Sequence, residues 1–130
     1  MYKVIERKTI SVEGGNVRHG VRSSDESFVG FGEVYFTEIK KGKIKGWKRH
    51  SKMVLNLLPV VGEIILYIKK DFDDVPEEVC FGEDDYKLVC VESNVWLAFS
   101  GVGNKNIMAN IASIPHDPDE SENIPYGDFK

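Results

Sequence analysis

The feature that most limits the fold of this chain is a regular succession of short segments in which apolar and polar residues alternate. No segment longer than about ten residues has helical periodicity, and about nine short strands with turn residues between them are predicted. The clearest lie at 28–39, 43–50, 53–58, 62–70, 86–91, 95–100 and 106–113, and an acidic loop is predicted at 71–85. This pattern predicts an all-β jelly roll, since two packed sheets hide most strand edges.

Length and charge limit the function classes. The 130 residues fit one domain, which we divide into N-terminal strands (1–27), a barrel (28–113) and a C-terminal tail (114–130). The net charge is −4, with no long basic run, which argues against a nucleic-acid partner.

The location of the protein is predicted from its N-terminus and its apolar segments. The start of the chain, MYKVIERKTI, carries charges throughout and does not resemble a secretory signal. No apolar run approaches the ~20 residues that span a bilayer. We therefore expect a cytoplasmic protein without membrane association. Cys80 and Cys90 lack a CxxC pattern and are predicted to be small buried hydrophobes in a reducing compartment.

Residues 43–62, KIKGWKRHSKMVLNLLPVVG, contain the most informative strand. Alternate side chains of a strand share a face. The predicted faces are Ile44, Gly46, Lys48 and His50 on one side, and Lys45, Trp47 and Arg49 on the other. If the first face looks into a barrel, Lys48 and His50 form the floor of a polar small-molecule site, with close approach of a ligand or backbone at Gly46. The alternative is a solvated edge strand, where lysine and arginine discourage pairing.

Two segments resemble the cupin superfamily, whose fold is a double-stranded β-helix. The first cupin motif has two histidines two residues apart, then a glutamate, then a glycine. Residues at those spacings here are Lys48, His50, Leu55 and Gly62. The second motif resembles ESNVWLAF at 92–99, with Asn94 in place of the turn glycine, which asparagine can replace because it tolerates a left-handed backbone.

Within this superfamily, GEVYFTEIKKGKIKGWKRH and IPHDPDESENIPY resemble the sugar-nucleotide branch. That branch includes the dTDP-4-dehydrorhamnose 3,5-epimerases and the dTDP-4-keto-6-deoxyhexose 3,4-ketoisomerases. The similarity extends over about 28–129 as a pattern of many weak positions. It implies a cupin jelly roll with antiparallel sheets and a nucleotide-sugar substrate, dTDP-linked as in those enzymes.

The sequence departs from the family pattern at the ligand positions. Metal-binding cupins need histidine or glutamate at four positions, where this chain has Lys48, His50, Leu55 and Leu97. One ligand of four does not hold a divalent ion, so neither a metal nor another cofactor is expected. The epimerases carry their base histidine where Lys48 stands and an arginine where Lys45 stands. The ketoisomerases carry His-x-His, and His50 matches the second histidine.

The resemblance implies chemistry that begins with removal of a proton next to a carbonyl. Such a step needs a base that works near neutral pH and a group that stabilises the enolate oxygen. We expect His50 to be the base, because histidine titrates in this range, and Lys48 to stabilise the enolate. Tyr35 or Tyr67 would return a proton from the opposite face of the sugar.

The remaining site residues are predicted to contact the substrate. They are Lys45, Trp47, Asn56, Trp96 and Asn110. The two amides would orient the sugar, and one of the two indoles would stack on the nucleotide base. For Trp96 the alternative is a place in the barrel core, and the same holds for Tyr67.

The charged residues of the tail are predicted to have no role in the site. The acids Asp117, Asp119 and Glu120 are expected to be solvated, and His116 is expected on a surface loop.

Three functions remain open from the sequence. The first is a metal-free 3,5-epimerase of a nucleotide-linked 4-keto-deoxy sugar, used in building surface polysaccharide. The second is a 3,4-ketoisomerase, and the third is a non-catalytic sugar-binding cupin that kept the pocket. A homodimer is expected as well, because residues 2–11 look like a strand without a partner in the same chain and two-fold dimers are the commonest oligomers.

Overall fold

A computed structural model describes residues 1–125 and 127. Tyr126 and residues 128–130, part of the predicted tail, lie outside the described residues. Short strands and one 3₁₀ turn make up the regular structure of the described part. They are β1 Tyr2–Glu6, β2 Thr9–Ile10, β3 Val17–Arg18, β4 Glu33–Glu38, β5 Ile44–His50, β6 Leu55–Val61, β7 Glu63–Lys69, β8 Glu77–Gly82, β9 Lys87–Val91, β10 Trp96–Gly101, β11 Ile107–Ala112, the turn Pro118–Glu120, and β12 Ser121–Asn123.

Two five-stranded sheets form the body of the fold. The first has the order β1-β9-β6-β11-β4 and the second has the order β12-β5-β10-β7-β8, while β2 and β3 form a separate hairpin. All paired strands of the two large sheets are antiparallel. The predicted all-β cupin jelly roll is confirmed, and the site described below lies beside β4, an edge strand of the first sheet, and β5, which is next to the short edge strand β12 in the second.

The core lies between the sheets and follows the alternation of the sequence. In β7, Ile64, Leu66 and Ile68 are fully buried within the main apolar cluster. Their neighbour Tyr67 points to the outer face of the second sheet, where it packs against a separate cluster around Trp47. The parity of each strand therefore decides which side chains reach the interior.

Two strand predictions are wrong. Residues 2–11 were expected to lack a partner in the chain, but β1 pairs with β9 along its whole length, from Tyr2 opposite Val91 to Glu6 opposite Lys87. The homodimer loses this support and stays a prediction. The acidic segment 71–85 contains β8, which pairs with β7, because Val79 and Phe81 are buried and alternate with the exposed Glu78 and Cys80.

Particular residues close the turns. Asn94 precedes β10 with a φ of 61°, so it does take the left-handed conformation expected of the turn glycine. Gly62 joins β6 to β7 with a φ of +80°, and a Cβ there would lie 2.1 Å from the carbonyl oxygen of Lys105.

The cysteines and the apolar segments give two further findings. Both cysteines are free thiols. Cys90 is buried, but Cys80 is exposed on the edge strand β8, so the prediction of two buried cysteines is wrong for Cys80. No helix in the described part of the chain is long and apolar enough to cross a membrane.

Candidate active site

A β-bulge in β5 decides which of its side chains face the interior. Lys48 lies opposite Leu97, and Lys45 lies opposite Phe99. The two residues of β5 between the lysines therefore stand opposite one residue of β10, Ala98. An extra residue in one strand reverses the alternation of faces beyond it. Lys45 therefore shares the inner face with Lys48 and His50, and its predicted place on the opposite face is wrong.

The glycine in the bulge makes room for the neighbouring strand. Gly46 has a φ of +151°, and a Cβ on it would lie 2.3 Å from the Cβ of Ala98. The sequence allowed either a ligand or another backbone to approach Gly46 closely. In the structure the close neighbour is strand β10. Ile44, predicted on the inner face, is 40% exposed and does not line the cavity described next.

Five of the predicted site residues line one cavity between the β11–β4 side of the first sheet and β5 of the second. Its volume is about 300 Å³, and its lining is Tyr35, Thr37, Lys45, Gly46, Lys48, His50, Leu55, Leu97, Phe99, Asn110 and Asn123. Tyr35 and Asn110 come from the first sheet, whereas the two lysines and the histidine come from the second. The cavity thus combines a histidine, two cations and a phenol in a wall that also contains one hydroxyl, two amides and several apolar side chains.

His50 is hydrogen-bonded through Nδ1 to Oε1 of Glu120. Glu120 ends the 3₁₀ turn and is 5% exposed. Its other oxygen, Oε2, accepts hydrogen bonds from the backbone amides of Lys52 at 3.0 Å and Met53 at 3.2 Å. The prediction that Glu120 is a solvated tail charge is therefore wrong.

The charge state of Glu120 determines the role of each nitrogen of His50. Burial raises the pKa of Glu120, but hydrogen bonds from His50 and from two backbone amides outweigh this and bring the pKa below its ordinary value of 4.5. Glu120 is thus a carboxylate at neutral pH and accepts the Nδ1 proton. The neutral imidazole then keeps Nε2 free to take a proton, as in other carboxylate–histidine pairs.

A local signal indicates the turn that carries Glu120, though not the burial of its side chain. Asp117 caps the 3₁₀ turn by accepting from the backbone amide of Asp119, and Pro118 occupies the first turn position. An aspartate followed by proline is a recognised start of a helical turn. The chain after the turn continues as β12, which pairs with β5 and sets Ser121 opposite His50.

Tyr35 and Asn110 differ in what they offer a ligand. Burial raises the pKa of Tyr35, and the carboxylates of Glu33 and Glu120 raise it further, so its hydroxyl stays protonated at neutral pH. The amide nitrogen of Asn110 donates to the carbonyl of Tyr35, to Thr37 Oγ1 and to the carbonyl of Met108. The amide nitrogen of Asn110 therefore holds β4 against β11. Of the two side chains, the hydroxyl of Tyr35 is the better proton donor to a ligand.

Four predicted site residues lie away from the cavity because of strand parity. Trp47, Trp96 and Tyr67 share the outer face of the second sheet with Ile124. Tyr67 is hydrogen-bonded there to Ser100 at 3.0 Å. Asn56 faces outward from the first sheet, and its amide donates to the carbonyl of Ser27. The prediction that these four residues share a site with His50 is therefore wrong, because none of them lines the cavity.

The donor set does not suit a metal ion. No group of three or more His, Cys, Asp or Glu side chains among the described residues is arranged to hold one. At the four cupin ligand positions only His50 offers a neutral donor or a carboxylate, and it is committed to Glu120. His116, in contrast, is exposed as predicted, and its backbone amide donates to Glu33.

Comparison with solved structures shows the family. A dTDP sugar isomerase from Desulfovibrio desulfuricans G20 is 32% identical, with a TM-score of 0.90, over 98% of this chain and 87% of that one. This chain belongs to that family of cupin-type sugar-nucleotide isomerases. The resemblance to the sugar-nucleotide branch is confirmed, and the protein is an isomerase-type enzyme.

More distant structures share the fold. A sugar 3,4-ketoisomerase from Thermoanaerobacterium thermosaccharolyticum is 17% identical with a TM-score of 0.81, covering 98% of this chain and 90% of its own. A dTDP-6-deoxy-D-glucose-3,5-epimerase from Legionella pneumophila is 14% identical with a TM-score of 0.83, and the match covers 96% of this chain and 73% of that one. No family model and no curated protein matches the chain.

Proposed function

We propose that this protein isomerises a dTDP-linked 4-keto-6-deoxy sugar, with His50 as the base that removes a proton next to the carbonyl. The observation that carries the proposal is the hydrogen bond of His50 to the buried carboxylate of Glu120 at the wall of a cavity that also holds Lys48. The dTDP group is proposed because neighbouring structures contain dTDP or dTDP-sugars.

The first step moves one proton and one electron pair. Nε2 of His50 takes the proton from the carbon next to the carbonyl, and the electrons of that C–H bond form the carbon–carbon double bond of an enolate. The former carbonyl oxygen gains the negative charge. The ammonium of Lys48 lies on the same face of β5 and stabilises that charge, which is the task of an oxyanion site. Glu120 stabilises the imidazolium that results.

The position of the base favours 3,4-ketoisomerisation. The carboxylate-paired residue is His50, at the second histidine position of the ketoisomerase pattern. The position of the epimerase base holds Lys48, which has no carboxylate partner within 4.0 Å among the described residues. In this reaction the hydroxyl proton on the neighbouring carbon passes to the former carbonyl oxygen, and a new carbonyl forms where that hydroxyl was. The imidazolium of His50 returns its proton to the former carbonyl carbon, so that the carbonyl shifts from one carbon to the next.

The 3,5-epimerase expected first from the sequence is the second candidate. One observation favours it: Tyr35 comes from the first sheet and His50 from the second, so the two groups line opposing walls of the cavity. An acid and a base on opposite sides of a sugar ring are what inversion of a carbon requires. The two reactions share the first step and differ in where the proton returns.

Deuterium incorporation separates these functions. The protein is incubated in D2O with dTDP-4-keto-6-deoxyglucose, and the product is analysed by NMR. Deuterium at one carbon together with a moved carbonyl supports the ketoisomerase. Deuterium at two carbons with inverted configuration and an unmoved carbonyl supports the epimerase. A panel of other nucleotide-linked 4-keto sugars follows, and no exchange into any of them would contradict both reactions.

A further inference from the structure

A second space meets the cavity at its reactive groups. This space, the side chamber, has a volume of about 240 Å³ and is lined by Glu33, Tyr35, Lys48, His50, Met53 and His116. Tyr35, Lys48 and His50 line the cavity as well. The phenol, the ammonium and the imidazole of the proposed reaction therefore stand between two spaces.

The size of the side chamber suits water better than a sugar. Ligand pockets have volumes of about 300–1,000 Å³. The cavity reaches the lower end of that range, whereas the side chamber lies below it. A water molecule occupies about 30 Å³ and needs two to four polar partners, and the side chamber offers a carboxylate, a phenol, an ammonium and two imidazoles. A sugar ring therefore fits the cavity, and water fits the side chamber.

Two residues of the side chamber can carry protons between it and bulk water. His116 is exposed, and its backbone amide donates to Oε1 of Glu33 at 2.6 Å. Neither side chain has an ion-pair partner within 4.0 Å in the described part of the chain. The carboxylate of Glu33 also contributes to the raised pKa of Tyr35, so its charge acts on the phenol. A carboxylate and an imidazole thus connect solvent to the reactive groups.

The imidazole of His50 is not sealed from water. Its side chain keeps 12% of its exposure although Nδ1 is hydrogen-bonded to Glu120. An enzyme that closes fully around its substrate prevents the leakage of protons to solvent. A sugar in the cavity would cover His50 on that side and leave the side chamber open.

We propose that the side chamber is a proton passage, through which His50 exchanges the proton of the substrate with solvent while the sugar stays bound. Once the enolate has formed, Nε2 of the imidazolium gives this proton to a water molecule, which becomes hydronium. Nε2 then takes a proton from another hydronium, so the charge of His50 is the same at the end. Glu33 and His116 accept and release protons on the solvent side. This inference rests on the proposed function, since it describes how the base of that reaction meets solvent.

The test counts deuterium atoms per molecule of product. The protein turns over dTDP-4-keto-6-deoxyglucose once in D2O, or the keto sugar on which it proves active, and NMR and mass spectrometry measure the label at the carbon that receives the proton. With an open passage, exchange precedes the return of the proton. The unchanged protein should therefore incorporate about one deuterium at this carbon.

Two substitutions obstruct the passage in different ways. His116→Trp should fill the side chamber, and Glu33→Gln should remove a proton carrier. Each should lower the deuterium count by about twofold or more, with protium from the substrate in its place. Because the count is taken per molecule of product, a variant that is only less active or less stable keeps the count of the unchanged protein.

Each substitution has a matched control outside both spaces. Asp119→Trp adds the same bulk to the segment that carries His116, and Glu38→Gln removes a carboxylate at the other end of β4. Both residues are exposed and line neither the cavity nor the side chamber. Their deuterium counts should equal that of the unchanged protein.

The outcomes separate the passage from the reaction. Low counts confined to His116→Trp and Glu33→Gln support the passage. If the unchanged protein incorporates deuterium and these two variants incorporate as much, the passage is overturned and the reaction stands. Control substitutions that lower the count equally would overturn it as well. If the unchanged protein exchanges no deuterium into any keto sugar, the reaction is contradicted and the passage falls with it.

Discussion

Nδ1 of His50 and Oε1 of Glu120 are hydrogen-bonded although 70 positions separate the two residues in the chain. The contact forms because the 3₁₀ turn before β12 brings Glu120 against the end of β5. The backbone amides of Lys52 and Met53 fix the carboxylate from the other side. One glutamate therefore connects the C-terminal segment to the proposed base.

The first prediction concerns the activity of Glu120→Gln. The amide has nearly the same shape but cannot stabilise an imidazolium, so we expect deuterium exchange to fall by at least roughly tenfold, less than the 10⁴-fold known for a serine protease. The measurement is the exchange rate at neutral pH. Asp119→Asn is the control because that acid lies in the same turn and is exposed. Full activity of Glu120→Gln would contradict a role for the pair.

The effect of Glu120→Gln on stability is expected to depend on pH. Because the folded state lowers the pKa of Glu120 below 4.5, its carboxylate contributes stability above pH 4.5, and the contribution is lost as the pH falls through the lowered value. Glu120→Gln should reduce the free energy of unfolding by about 1–3 kcal/mol near neutral pH. The difference should shrink below pH 4.5 in urea titrations. A difference that grows on acidification would have the wrong sign.

Lys48→Met separates stabilisation of the enolate from binding. Loss of an oxyanion donor costs roughly 10²–10³ in kcat, so we expect a fall of this size in kcat with little change in KM. Steady-state kinetics on the substrate identified by the exchange panel measure both. A kcat of Lys48→Met equal to that of the unchanged protein would make Lys48 only a pocket charge.

Tyr35→Phe tests the return of the proton. The raised pKa of Tyr35 keeps its hydroxyl protonated, so in the epimerase reaction its removal should slow product formation by about 10²-fold. Loss of the substrate proton to His50 should be less affected. The control is Tyr67→Phe, which removes a hydroxyl on the outer face of the sheet, bonded to Ser100. If Tyr67→Phe slowed the reaction as much as Tyr35→Phe, the cavity would not be the reaction site.

Gly46→Ala tests the bulge that turns Lys45 inward. A methyl group there would meet Ala98 at 2.3 Å on a backbone with positive φ, whereas Gly42 has a φ of +74° and nothing within 4 Å of an added Cβ. Gly42→Ala should therefore cost only the backbone strain, about 1–2 kcal/mol. Gly46→Ala should cost about 1–3 kcal/mol more, the scale of overpacking. Equal losses in thermal unfolding would contradict the close approach.

The sequence predicted the fold well because alternation survives in most strands. Ile64, Leu66 and Ile68 occupy the core as their period-two pattern indicates. The alternation failed at β5, where one extra residue opposite Ala98 exchanged the faces of Lys45 and Ile44. No local pattern indicates a bulge of this kind, since it depends on how the neighbouring strand packs.

Only part of the site could be predicted, because the positions of its other residues depend on long-range packing. Tyr35, Lys48 and His50 follow from the resemblance and from strand parity, and all three line the cavity. Trp96 and Tyr67 sit one position away from inward-facing residues, and aromatic composition alone could not decide their faces. Glu120 was missed because a charged tail residue is ordinarily solvated, and only its long-range contacts with His50, Lys52 and Met53 explain its burial.

The most direct test of the account is deuterium wash-in by the unchanged protein and by His50→Asn on the same dTDP-linked keto sugar. We predict exchange at the carbon next to the carbonyl for the unchanged protein and a loss of at least about 10²-fold for His50→Asn. His19→Asn should exchange normally, because that histidine lies by the N-terminal hairpin and pairs with Arg22. Exchange by His50→Asn at the normal rate, with the fold intact by circular dichroism, would contradict the assignment of His50 as the base.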